Sequence, residues 1–347
     1  MNNSITKAPI VSVILSVYNG ESYISESIES ILNQTFRDFE LIIINDGSID
    51  RTSEKLKSYT DSRIINLENE KNIGIARSSN KGLRMARGRY IAIMDADDIS
   101  LPERFQEQFS FLENNPDIGV CGTWINVIDK NGKWMKNICY PTSSDVISCS
   151  LLFYDCFVNP TTMFRKKIIE DIGEYNPGFI AAMDYDLWTR MIGQYKFSNL
   201  PDFLLKYRMH GQNISHDRKK RHHEDYLIRK TAIEKFLGYP LSMDEDIALS
   251  IWIDPQSKLN LNQIFLIDSL ISIIYQKFIV TNKLSDTDIR EINLFFADQL
   301  FLLALQSKQI PKIERLRLII HGFGYRPAIF PLLRKIFSEI RKFFGNG

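Results

Sequence analysis

Tyr90-Ile91-Ala92-Ile93-Met94-Asp95-Ala96-Asp97-Asp98 passes without a break from an apolar run into a set of carboxylates. An apolar run that does not alternate, Tyr90–Met94, predicts a strand covered on both faces. The acids then stand at its carboxyl end. In extended backbone, residues two apart face the same side, so Asp95 and Asp97 can reach one point just past the strand. Two close carboxylates repel unless a cation or a proton intervenes. Hard oxygen donors suit Mg²⁺ or Mn²⁺, and Mg²⁺ is usually held by one or two carboxylates together with substrate phosphates. A solvated acidic turn is the competing reading, and the strand in front of the acids weighs against it.

Upstream of this stretch, strand-like and helix-like segments alternate. Val11–Val17, Leu41–Ile44 and Arg63–Leu67 read as strands. Glu21–Gln34 carries Ile24, Ile28, Ile31 and Leu32 at helical spacing, and Ser53–Tyr59 and Ala76–Ala86 also read as helices. This alternation predicts an α/β fold with a mostly parallel central sheet, whose ligand site lies beyond the carboxyl ends of its strands. The first strand ends in Tyr18-Asn19-Gly20 and the second in Asn45-Asp46-Gly47-Ser48. Three strand ends therefore aim amides or carboxylates at one crevice. From about Lys219 the pattern becomes helical, over Glu224–Phe236, Leu259–Val280, Thr287–Ser307 and Ile313–Ile320. Two domains are expected, 1–218 and an all-helical 219–347, divided at the polar run Asp217–Asp225.

The chain has 347 residues, 44% hydrophobic and 24% charged, which is an ordinary globular composition of about two domains. Its 43 basic side chains face 42 acidic ones. That balance argues against nucleic acid as a partner. Cys121, Cys139, Cys149 and Cys156 show no zinc or redox spacing and read as small buried residues in a reducing compartment. MNNSITKAP lacks the pattern of a signal peptide. Ile264–Tyr275 and Leu294–Leu305 are each interrupted by an Asp and fall short of the ~20 residues a spanning helix needs. A cytoplasmic protein is expected. One glycine after the first strand leaves no Gly-x-Gly-x-x-Gly turn for a dinucleotide, and Tyr18–Ile24 lacks the Gly-rich basic loop of a nucleotidyltransferase.

The chain resembles a family 2 glycosyltransferase with the GT-A fold. The likeness is carried by Val11–Asn19, Ser30–Thr35, Asn45–Asp50, Asn72–Asn80, Asp95–Asp98, Asp184–Trp188 and Tyr207–Gly211, in that order. Ser16 departs from the proline often found before the Tyr-Asn pair. The resemblance implies that Tyr18 packs on a nucleotide base, that Asp46 bonds to that base and that Arg77 lies near the sugar-nucleotide. It implies that Asp95 and Asp97 hold the ribose and a metal-bound diphosphate, with Asp98 an alternative to Asp97 as the closer ligand. The residue types suit these tasks. An aromatic face suits stacking, an ionised carboxylate accepts a base N–H and a guanidinium suits phosphate. A core tyrosine, a turn-capping aspartate and a helix-surface arginine are the plainer readings.

The resemblance also implies a catalytic carboxylate at Asp184, usually after an acidic residue; here that neighbour is Met183. Asp184 alternatively reads as a helix N-cap, and Asp186 is the rival base. His210 is implied near the metal or diphosphate. Arg208 either bonds a phosphate or pairs with a carboxylate as an anchor. The implied reaction is inverting: a nucleotide-sugar, expected to be a UDP-sugar, gives its sugar to a glycan or lipid-linked acceptor with Mn²⁺ or Mg²⁺ as cofactor. A non-catalytic nucleotide-sugar-binding or scaffolding protein is the alternative, and the intact Asp95, Asp97 and Asp184 argue against it. Lys312–Gly347 holds eight basic residues against Glu314 and Glu339. Leu333, Ile336, Phe337, Ile340 and Phe344 share one helical face there, which suits peripheral contact with the inner face of an anionic membrane, or docking on a partner.

Overall fold

The computed structural model describes residues 8–211, 218–253, 258–306 and 311–324. The N-terminal part alternates as expected: β1 (Val11–Val17), α1 (Ile24–Leu32), β2 (Phe39–Asn45), α2 (Thr52–Lys57), β3 (Ile64–Glu68), α3 (Ile75–Met85) and β4 (Tyr90–Asp95). The next elements are β5 (Ile99–Ser100), α4 (Arg104–Asn114), β6 (Ile118–Ile128), β7 (Trp134–Ile138) and α5 (Ser144–Ser150). Then come β8 (Met163–Arg165), α6 (Lys167–Ile172), α7 (Met183–Met191) and β9 (Lys196–Arg208).

The strands run in the order β3-β2-β1-β4-β8-β6-β9-β5, with β7 paired to β6. β3, β2, β1 and β4 run parallel to one another. Beyond β4 the sheet is mixed, because β8 is antiparallel to both β4 and β6 while β9 is parallel to β6. The expected parallel sheet is thus its first half. Unbroken apolar strands follow from cover on both faces. Val11, Val13, Leu15, Leu41, Ile43, Tyr90 and Ala92 enter one core, and Ile14, Ile42, Ile44, Ile91 and Ile93 enter the other.

The chain divides into two compact units, Met1–Ile228 and Arg229–Gly347. The division falls inside α8 (Arg218–Leu237) rather than at 218/219. The early turns of α8 belong to the first unit, where Ile228 joins the core. The second unit contains α9 (Met243–Ile253), α10 (Leu261–Thr281), α11 (Asp286–Gln306) and α12 (Lys312–Gly324). Asn260 and Gln263 form a reciprocal capping box at the start of α10. α10 outruns its apolar centre at both ends and, contrary to expectation, is long and apolar enough to cross a membrane. A core helix passes the same test, and Ile264, Ile267, Leu270, Ile271, Ile274 and Phe278 are buried at core-helix spacing. The apolar face Leu333–Phe344 lies outside the described residues. Cys121, Cys149 and Cys156 are buried, whereas Cys139 is exposed beside the edge strand β7.

Candidate active site

A cleft of about 1020 Å³ opens at the carboxyl ends of β1, β2 and β4. Tyr18 lines it and is 46% exposed. The turn behind Tyr18 is stitched to the one after β2: the Asn19 N–H donates to Ser48 Oγ, and Asn19 Oδ1 accepts from the Ile49 N–H. Asn19 holds φ 53°, a left-handed conformation that asparagine tolerates better than most residues. Gly47 is required by position, since φ is +69° and an added Cβ would lie 2.5 Å from the Lys71 backbone.

Asp46 is buried yet borders the cleft. One oxygen accepts from Asn69 Nδ2 and the Ile73 N–H, each at 2.9 Å, and the other from the Gly74 N–H at 3.0 Å. It therefore ties down the Asn72–Gly74 loop, whose ends line the cleft. Arg77 does not line it. Its guanidinium is exposed at the surface of α3 and donates to the Ile73 carbonyl at 3.3 Å.

Asp95, Asp97 and Asp98 each offer a carboxylate oxygen, all within 4.8 Å of one another. Asp95 and Asp97 open on the cleft, and His210 Nε2 lies 2.7 Å from Asp97 Oδ2. Asp98 faces inward. Its Oδ1 accepts the Arg208 N–H at 2.8 Å, while its Oδ2 is buried with no hydrogen-bond partner among the described residues. Burial, then the charges of Asp97 and Asp184, push the Asp95 carboxyl up to about 8, with Arg104 opposing. Burial, then Asp97 and Asp95, hold Asp98 well above its ordinary value. Crowded hard oxygens, one of them orphaned, fit a divalent cation. Asp97, open to the cleft, is better placed than Asp98 to share that ion with a ligand.

Arg208 does not reach the cleft. Its side chain is 2% exposed, pairs with Glu26 at 2.6 Å, donates to the Asp97 carbonyl at 2.8 Å and lies 4.7 Å from the Tyr23 ring centre. Of the two readings open to it, this placement is the anchor: it braces the acidic turn from behind.

Asp184 lies in the first turn of α7 and faces the cleft. It is not the N-cap; Ala182 holds that position. The N–H groups leading into α7 are met by Glu224 from α8, whose carboxylate accepts from Ile180, Ala181 and Ala182 at 2.9, 2.7 and 2.9 Å. Burial raises the Asp184 carboxyl, and the next influence, Arg221, opposes it. Asp186 is tied to Arg190 at 3.1 Å and does not line the cleft, so the rival base has no access. Asp155, Arg221 and Glu224 had no individual signal in the sequence; Arg221 and Glu224 sit in the run that reads as a domain boundary.

The family described as Glycosyl transferase family 2 matches residues 12–173. An uncharacterized glycosyltransferase of Methanocaldococcus jannaschii is 40% identical over 230 residues, covering 64% of this chain and 79% of that protein. The chain belongs to glycosyltransferase family 2. Two other relatives of this family 2 glycosyltransferase come from Escherichia coli. The O-antigen biosynthesis glycosyltransferase WbnJ is 38% identical, over 59% of this chain and 81% of its own length. The UDP-Glc:alpha-D-GlcNAc-diphosphoundecaprenol beta-1,3-glucosyltransferase WfgD is 30% identical, over 61% and 81%. In fold, the family 2 chain is similar to S. aureus TarS, solved with UDP-GlcNAc: TM-score 0.56 at 17% identity, covering 92% of each chain.

Proposed function

We propose that this glycosyltransferase transfers a sugar, with inversion, from a UDP-sugar to a hydroxyl of a glycan or lipid-linked acceptor in cell-surface polysaccharide assembly. One observation carries the reading: Tyr18, Asp46, Asp95, Asp97, Asp184 and His210, which come from five separate segments of the chain, all border one cleft. The names of WbnJ and WfgD support the polysaccharide and lipid-linked acceptor, and the name of WfgD supports UDP.

Tyr18 stacks on the base, and the remaining acceptor capacity of Asp46 takes a base N–H. Asp95 and Asp97, with His210, would hold Mn²⁺ or Mg²⁺, which when bound neutralises charge on the departing diphosphate. Asp184 takes the proton of the acceptor hydroxyl as that oxygen attacks the anomeric carbon. The bond from that carbon to the diphosphate oxygen breaks, and its electron pair leaves with the nucleoside diphosphate. Attack opposite the leaving group inverts the carbon. The raised pKa of Asp184 suits a base working near neutral pH. Arg77 stands outside the cleft lining and takes no part in this scheme. Work at the cytoplasmic face of the membrane, with the basic tail as a peripheral contact, belongs to the same proposal.

The test is calorimetric binding of a nucleotide-sugar panel with and without Mn²⁺. Tighter binding of one UDP-sugar with Mn²⁺ is expected. No binding of any member, with or without the ion, sinks the reading.

A further inference from the structure

The base has a charged neighbourhood that the reaction above does not use. Asp155 and Arg221 line the cleft with Asp184, from two segments far apart in the chain. The Asp155 side chain is only 10% exposed. Its Oδ1 accepts the Phe157 N–H at 3.1 Å. Its Oδ2 is 3.6 Å from Arg221 Nη2, too far for a hydrogen bond. Arg221 is aimed by its other nitrogens: Nε donates to Asp225 at 2.9 Å and Nη1 to the Ala181 carbonyl at 2.5 Å. An acceptor and a donor thus stand side by side at the cleft, each with capacity left over.

We propose that Asp155 and Arg221 form an acceptor-side subsite beside Asp184 that reads a second hydroxyl of a neutral acceptor sugar. A hydroxyl both donates and accepts, so one group can give its proton to Asp155 Oδ2 and receive from Arg221 Nη2. The local charge selects against anions. Asp155, Asp184 and Asp225 face one guanidinium here, so a carboxylate or phosphate on that part of the acceptor would meet a surplus of negative charge. Tyr140 borders the same cleft.

The inference rests on the glycosyltransfer reading, and the experiment separates the two. Full-length enzyme with Mn²⁺ and the UDP-sugar that binds is assayed on p-nitrophenyl glycosides of neutral hexoses, their monodeoxy analogues and the matching uronic acids. The wild type is expected to lose roughly 10- to 100-fold in kcat/KM on one deoxy analogue, the size of a hydrogen bond to a charged group, and to reject the uronic acid. Asp155→Ala should fall by the same factor on the parent sugar and show no further loss on that analogue. Its UDP affinity should equal that of the wild type. Asp155→Asn, nearly isosteric, guards against a folding defect and should lose the same discrimination. Wild-type discrimination retained in both variants overturns the subsite. A uniform loss on every acceptor together with weaker UDP binding overturns it too, since that is what a packing role would give. A wild type that binds no nucleotide-sugar defeats the proposed function, and the subsite with it; a wild type that binds and transfers, with discrimination indifferent to Asp155, defeats the subsite alone.

Discussion

The two walls of the cleft manage their acids in opposite ways. On the wall built by β1, β2 and β4, the cations stand behind the acids and are committed elsewhere. Arg208 pairs with Glu26, and Arg104 donates to the carbonyls of Ile93 and Thr162. Asp95 is consequently raised by burial and raised again by its acidic neighbours. On the wall built by Asp155, α7 and α8, Arg221 stands among the acids themselves, and Asp184 is raised by burial but drawn back by that guanidinium. On the first wall the opposing guanidiniums of Arg104 and Arg208 are the weakest influences on Asp95 and Asp98; on the second, Arg221 is the strongest charge acting on Asp184. The first therefore suits holding an ion and a diphosphate, and the second suits holding a proton acceptor at a usable pKa.

Two variants test that division at its strongest. Asp184→Asn should lower kcat by about 10³-fold, within the range for a general base, while UDP affinity stays as in the wild type. Asp97→Ala should do the reverse at the binding stage: the tightening of UDP by Mn²⁺ disappears in calorimetry. The comparison fails if Asp184→Asn keeps full turnover, or if Asp97→Ala binds UDP with an unchanged response to Mn²⁺.

A smaller effect sharpens the electrostatic part. Arg221→Met removes the largest influence that lowers the Asp184 carboxyl, so its pKa rises further. The base works ionised, so kcat/KM climbs as pH rises through that pKa. The ascending limb should then move to higher pH by about one unit, and turnover at pH 7 should drop. Arg221→Lys should restore part of the shift. A limb that stays in place in Arg221→Met would mean that burial and the backbone N–H groups, not the guanidinium, set the base.

The first wall was largely legible in the sequence because its chemistry is local. Each acid follows an apolar strand directly, so one stretch such as Tyr90–Asp98 gives both the strand and its cargo. Arg77 and Arg208 show where locality stops: a long side chain can swing to a carbonyl or to Glu26, and spacing does not say which. The second wall was legible only at Asp184. Glu224 reaches Ala182 across 42 positions of chain, and no short-range pattern records that. β6 went unread because Gly119 and Gly122 dilute its apolar run; Gly122 is there because a Cβ would meet Asn199 of β9 at 2.1 Å. The acids Asp244, Glu245 and Asp246 in its first turn hid α9 in the same way.

The mildest expected effect concerns what carries the base. At the start of α7, the carboxylate of Glu224 receives the N–H groups of Ile180, Ala181 and Ala182, a charged acceptor at the positive end of a helix. Glu224→Gln keeps the shape but replaces one oxygen by an NH₂ group that faces backbone donors. The loss should be about 1–2 kcal/mol in urea unfolding, the scale of a helix cap or a charged hydrogen bond. Because Arg221 still holds the Ala181 carbonyl, Asp184 should stay near its place, and kcat should fall by less than about tenfold with UDP affinity unchanged. A variant as stable as the wild type would mean that Arg221 alone fixes this turn. Loss of turnover as complete as in Asp184→Asn would mean the opposite: the charge on α8 is then part of what makes Asp184 a base, and the second wall works as one unit.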